Sequence, residues 1–176
     1  MKLLPETKGF NRLSEIRQEF RRGITENYEH KAVSCSACRS PGACCLDEHF
    51  VNVRITRLEA AAIAKHLNEL GPETVREVFD RIEAAIERYS LAVGDSFART
   101  YSCPLYVSGI GCMVHNAAKP LPCIAHACYE NKSDLPPDEL LESAEARVGE
   151  LNRKVYGKND AYEPIPVAVR RRLTKA

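Results

Sequence analysis

The chain has 176 residues, 44% apolar and 28% charged, with 25 Lys+Arg against 24 Asp+Glu, the composition of an ordinary globular protein of one domain. A formal charge of +1 excludes a polybasic, histone-like binder of nucleic acid and gives no global attraction to anionic lipid. No apolar run reaches the roughly 20 residues needed to cross a bilayer, and Met1–Glu6 lacks the apolar stretch of a signal peptide, so a cytoplasmic protein with no membrane partner is expected.

In chain order, Leu13, Ile16, Phe20 and Ile24 mark a helical stripe, interrupted by Gly23, that predicts an N-terminal helix over 10–28. Val51, Val53 and Ile55 alternate with Asn52 and Arg54, predicting a short strand over 50–55. Thr56-Arg-Leu-Glu59 has the form of a capping box, and Ile63, Leu67 and Leu70 follow on one face. After Gly71-Pro72, apolar residues from Val75 to Val93 recur every three or four positions until Gly94 supplies a stop. The spacing therefore predicts a helical hairpin over 57–93, turning at Gly71. Leu140, Leu141, Ala144, Val148, Leu151 and Val155 predict a C-terminal helix over 136–157, opened by Pro136-Pro137 and closed near Gly157. The tail from about residue 158 is interrupted by proline and carries the basic run Arg170–Arg172. With no repeat or low-complexity linker, residues 1–176 are expected to form a single domain.

Cysteine is the outlying feature. The eight cysteines fall into two groups of four, Cys35, Cys38, Cys44 and Cys45, then Cys103, Cys112, Cys123 and Cys128. The Cys35-x2-Cys38 pair can point two thiolates at one metal, because its tight turn aims backbone N–H groups at sulfur. Side chains of neighbouring residues diverge, so Cys44-Cys45 suits two metals or two irons of a cluster, or else one ligand beside a buried thiol. In the second group, Leu105–Val107 and Met113-Val114 around Gly109 and Gly111 predict a hairpin that brings Cys103 and Cys112 together. Pro120 and Pro122 predict an extended approach to Cys123, with Cys128 completing the set. All eight cysteines are therefore candidate metal ligands. Soft thiolates select zinc, an iron–sulfur cluster or Cu(I). Arg39, Lys119 and the N–H groups of Gly42, Gly109 and Gly111 are candidates to offset the thiolate charge. Four disulfides are the alternative, disfavoured in a chain without a secretory signal.

This pattern, C-x2-C-x5-C-C, a helical insert, then C-P-L, G-C and C-x4-C over 35–128, resembles the YkgJ-type cysteine-cluster proteins, described as a zinc- or iron-chelating domain. The resemblance implies a metal centre at the eight cysteines. One branch, the flagellin lysine methylases, combines a similar pattern with methyl transfer and an iron–sulfur cluster, which implies an enzyme as an alternative. The chain departs from the family at Val114-His115-Asn116, Lys119-Pro120 and Ile124, so roles of the family's Tyr and Arg at those places do not carry over.

His115 and His126 each stand three residues after a cysteine and are candidates to ligate or to move a proton. His49 and Asp47-Glu48 lie near the vicinal pair. Arg21-Arg22 and Arg170–Arg172 are short and lack interleaved aromatics, so nucleic acid is disfavoured as a partner. No dinucleotide loop, P-loop or radical-SAM-type C-x3-C-x2-C occurs. The expected protein is mainly α with short β elements, a small single domain organised around a cysteine-rich metal centre in core 35–128. Its cofactor is an iron–sulfur ([4Fe-4S]) cluster or zinc, with a structural, electron-transfer or metal-handling role. An iron–sulfur enzyme and a zinc-supported module for protein or nucleic-acid interaction are the alternatives; no residue is assigned a catalytic role.

Overall fold

A computed structural model describes residues 3–33, 40–49, 51–92, 98–157 and 161–173. Its elements are α1 (Glu6–Asn27), β1 (Ala32–Val33), α2 (Ala43–Leu46), β2 (Arg54–Ile55), α3 (Arg57–Glu69), α4 (Pro72–Arg88), β3 (Tyr106–Val107), β4 (Gly111–Cys112), α5 (Leu121–Ala125), β5 (Cys128–Tyr129), α6 (Asp138–Tyr156), β6 (Glu163–Pro164) and α7 (Ile165–Leu173). The protein is mainly helical, as its periodicity predicts. The chain divides into two compact units, one of Met1–Pro41 with Lys119–Asp160, the other of Gly42–Ala118 with Ala161–Ala176. Each sequence group of cysteines is cut by a unit boundary.

In the first unit α1 packs against α5 and α6. Leu13, Ile16 and Ile24 of α1, Leu121 and Ile124 of α5, and Ala144, Val148, Leu151 and Val155 of α6 are buried, so each helix hides its apolar stripe. Helix α1 runs straight through Gly23, which costs propensity but does not break a helix of this length. Helix α6 ends at Gly157, whose φ of 81° supplies the left-handed stop. Strands β1 and β5 pair antiparallel, Val33 opposite Cys128. Pro120 is extended as expected, but the approach to Cys123 continues as the short helix α5, with Pro122 in its first turn, where a missing N–H costs nothing.

In the second unit α3 and α4 form the expected helical hairpin, and α7 packs on both. The capping box is made: Glu59 N–H donates to Thr56 Oγ1 at 3.3 Å, and Thr56 N–H donates back to the Glu59 carboxylate at 2.9 Å. Helix α4 stops earlier than Gly94, at Arg88, and residues 93–97 lie outside those described. Ser90 takes a left-handed φ of 52°; Ser90 N–H then bonds the Glu87 carbonyl at 3.1 Å and Leu91 N–H the Ile86 carbonyl at 3.0 Å. This is a Schellman ending with serine where glycine is usual, and it tucks Leu91 into the core.

The expected strand over 50–55 is paired only at Arg54–Ile55, against Glu163–Pro164. Upstream carbonyls are taken by Tyr101 instead: its N–H bonds the Val51 carbonyl at 2.9 Å and its phenol donates to the Val53 carbonyl. The tail is not an irregular end, because α7 buries Ile165, Pro166, Val167, Ala168 and Val169 beside Ile63, Leu67, Val78 and Ile82. Proline in the first turn of α7 opens the helix rather than interrupting it.

Candidate metal centre

The second unit gathers four cysteines from distant parts of the chain. Cys44 and Cys45 lie on α2, which starts at Gly42; the Gly42 carbonyl accepts from Cys45 N–H at 2.8 Å and from Leu46 N–H at 2.9 Å. Gly42 has φ 83°, and a Cβ there would fall under 3.0 Å from Cζ, Oη and Cε1 of Tyr106. Only glycine lets the ring of Tyr106 lie over the start of α2. Next, Cys103 N–H donates to the Cys45 carbonyl at 2.8 Å, and Ser102 Oγ to the Leu46 carbonyl at 2.9 Å. Tyr106 N–H then bonds the Cys103 carbonyl at 3.3 Å, and Tyr106 stands opposite Cys112 in the β3–β4 ladder. The hairpin expected between Cys103 and Cys112 is formed.

This backbone chain brings Cys44, Cys103 and Cys112 within electrostatic reach of Cys45. Burial, and then the neighbouring Cys44, Cys103 and Cys112, push the Cys45 thiol up to about 12. A second thiolate in such company is repelled, so Cys45 keeps its proton at neutral pH. The six described cysteines are free thiols. Among the described residues no group of three or more His, Cys, Asp and Glu side chains is arranged to hold a metal ion. The gathering among the described residues is therefore one of backbone segments.

Beside this group, the Glu48 carboxylate accepts from the Tyr89 phenol at 2.8 Å and from Arg88 at 2.7 Å. The Tyr89 bond, more than the Arg88 charge, holds the Glu48 carboxyl below the usual carboxylate range. Asp47 accepts from His49 N–H at 2.9 Å, so it shapes the turn after α2. His115 N–H bonds the Cys112 carbonyl at 3.1 Å and its residue is exposed.

In the first unit, Cys123 lies on α5 and Cys128 on β5, both half-buried. Cys35, Cys38 and Arg39 lie outside the described residues. His126, between Cys123 and Cys128, is held below the ordinary imidazole value by desolvation and then by the charge of Lys119. The basic run is engaged on α7: Arg170 pairs with Glu83 and Arg171 with Glu163, each at 2.6 Å.

Tyr106 and Ser102, which bond the cysteine segments to one another, are not singled out by the sequence. Gly42 is legible as a turn residue and as a candidate N–H donor to thiolate, but not as the seat of the Tyr106 ring. Tyr106 and Ser102 carry no spacing signal, because their partners are distant in sequence. Compared with protein-family models, curated proteins and solved structures, the chain matches none. The likeness to YkgJ-type proteins rests on the sequence motifs alone, the cysteine pattern and the passage through Thr56 and Glu59. No helix among the described residues is long and apolar enough to cross a membrane.

Proposed function

We propose that this chain is a thiolate metal-binding protein, with Cys44, Cys45, Cys103 and Cys112 as one ligand set. The observation that carries the reading is the run of backbone bonds from Gly42 through Cys45 and Cys103 to the β3–β4 hairpin, which draws together two sequence groups. The donor type suits a soft cation: the Cys45 thiol is pushed up beside Cys44, Cys103 and Cys112, and a cation drawing these side chains onto itself would offset the repulsion between thiolates while releasing protons. Zinc would supply a closed structural tie, and an iron–sulfur cluster would supply electron transfer or a substrate-binding iron.

The remaining cysteines form the second set of this reading, within the first unit. In this reading Cys35, Cys38, Cys123 and Cys128 are that set, and each sequence group contributes two ligands to each set. The methylase alternative gains no support from an assigned catalytic residue, and the ion pairs of Arg170 and Arg171 reduce what α7 offers to phosphate.

The test is metal stoichiometry in double variants. Cys45→Ser/Cys103→Ser should lose one set's metal and keep the other's, and Cys123→Ser/Cys128→Ser should do the reverse. Complete loss of metal in both, with the fold retained, would show one shared centre and refute the division.

A further inference from the structure

Strands β3 and β4 have two residues each, too few to hold the spacing of their arms unaided. The spacing is held from α4. Arg81 is half-buried between Val78 and Ile82, which are fully buried. Its Nε donates to the Pro104 carbonyl at 3.0 Å, and its Nη2 reaches Met113 Sδ at 3.2 Å. Pro104 directly follows Cys103, and Met113 directly follows Cys112. One planar fork therefore spans the two arms at the residue next to each cysteine. Surrounding bonds agree with this placement: Met113 N–H donates to the Leu105 carbonyl at 3.0 Å, and the Met113 carbonyl lies 3.3 Å from His66 Nε2 on α3. A thioether is a weak acceptor, so the Met113 contact contributes direction more than strength.

We propose that Arg81 is the positioning residue that fixes the Cys103 arm against the Cys112 arm, and so sets how tightly the second unit's thiols hold a soft metal. The metal half of this inference rests on the function proposed above; the spacing half does not. Lysine would keep the charge at this position, but a flexible ammonium cannot reach both acceptors in a fixed plane.

Wild type is compared with Arg81→Met, which keeps the apolar stem, and Arg81→Lys, which keeps the charge. Metal-free protein is treated with dibromobimane, which bridges neighbouring thiols, and the Cys103–Cys112 product is quantified by peptide mass spectrometry. Zn(II) is then titrated against a chromophoric chelator. Both variants should bridge several-fold more slowly than wild type while keeping their helical circular dichroism, and should hold Zn(II) about 10–100-fold more weakly, the usual cost of losing a group that orients a ligand. Bridging at the wild-type rate in both variants overturns the proposal, whether or not Zn(II) binds. Wild type that takes up no Zn(II), yet bridges in an Arg81-dependent way, refutes the metal reading and leaves the positioning role standing. If Arg81→Met does not fold, Met113→Leu removes one anchor at nearly constant volume, and unaltered bridging in it and in Arg81→Lys overturns the proposal equally.

Discussion

Gly42→Ala is the sharpest perturbation of the cysteine-bearing framework. Alanine at φ 83° pays about 1–2 kcal/mol for the left-handed backbone. Its Cβ would also stand under 3.0 Å from three atoms at the far end of the Tyr106 ring. The ring end can swing aside, so the added cost is that of disturbed packing, about 1–3 kcal/mol. The two terms separate in a double-mutant cycle, since Tyr106→Ala removes the ring and leaves only the backbone term. Urea unfolding of metal-free protein, followed by far-UV circular dichroism, should therefore show about 2–5 kcal/mol lost on Gly42→Ala in wild type, and about 1–2 kcal/mol in the Tyr106→Ala background. Equal losses in the two backgrounds would refute the packing of Tyr106 on the start of α2. Because the Gly42 carbonyl accepts from Cys45 N–H, the same substitution should also lower metal retention.

Ser90→Gly should stabilise the chain by about 1 kcal/mol in the same assay, because glycine takes the left-handed position at the end of α4 without a Cβ penalty. Tyr101→Phe should cost about 1–2 kcal/mol by leaving the Val53 carbonyl and Ile165 N–H with only their mutual bond at 3.3 Å; a neutral result would contradict the stitching of β2 to α7 by that phenol. For pH, the Glu48 carboxyl is lowered in the folded state, so the unfolded chain takes up this proton first, and the contribution is full above about 4.5 and lost as pH falls through the folded value. In Tyr89→Phe the Glu48 titration, read by carboxyl NMR shifts, should move upward, and an unmoved titration would count against the phenol as its main cause.

Helices were the most legible part of the sequence, because α1, α3, α4 and α6 each carry an apolar stripe of helical period, and Thr56-Glu59 announces its own cap. Helix ends were less legible where chemistry was unusual: Ser90 does the work expected of Gly94. Helix α7 was hidden because its apolar residues begin beside a proline and run into three arginines, a pattern that reads as an end until Val167 and Val169 find α3 and α4. For the cysteines, sequence spacing showed two groups of four, while the unit boundaries after Pro41 and Ala118 cut each group. That regrouping depends on the bond between Cys103 and Cys45 and on the register of Tyr106 with Cys112. Both join residues whose separation along the chain leaves no periodic trace.

The central claim is that the gathered thiols hold a soft metal. Ultraviolet–visible spectroscopy with metal and sulfide analysis of anaerobically purified protein tests it most directly. Metal should be retained in stoichiometric amount, either as brown protein with iron, sulfide and absorption at about 400 nm or as colourless protein with zinc, and reduced in Cys45→Ser/Cys103→Ser. Protein that is folded, reduced and free of metal, and that takes up neither Zn(II) nor an iron–sulfur cluster on reconstitution, would contradict it.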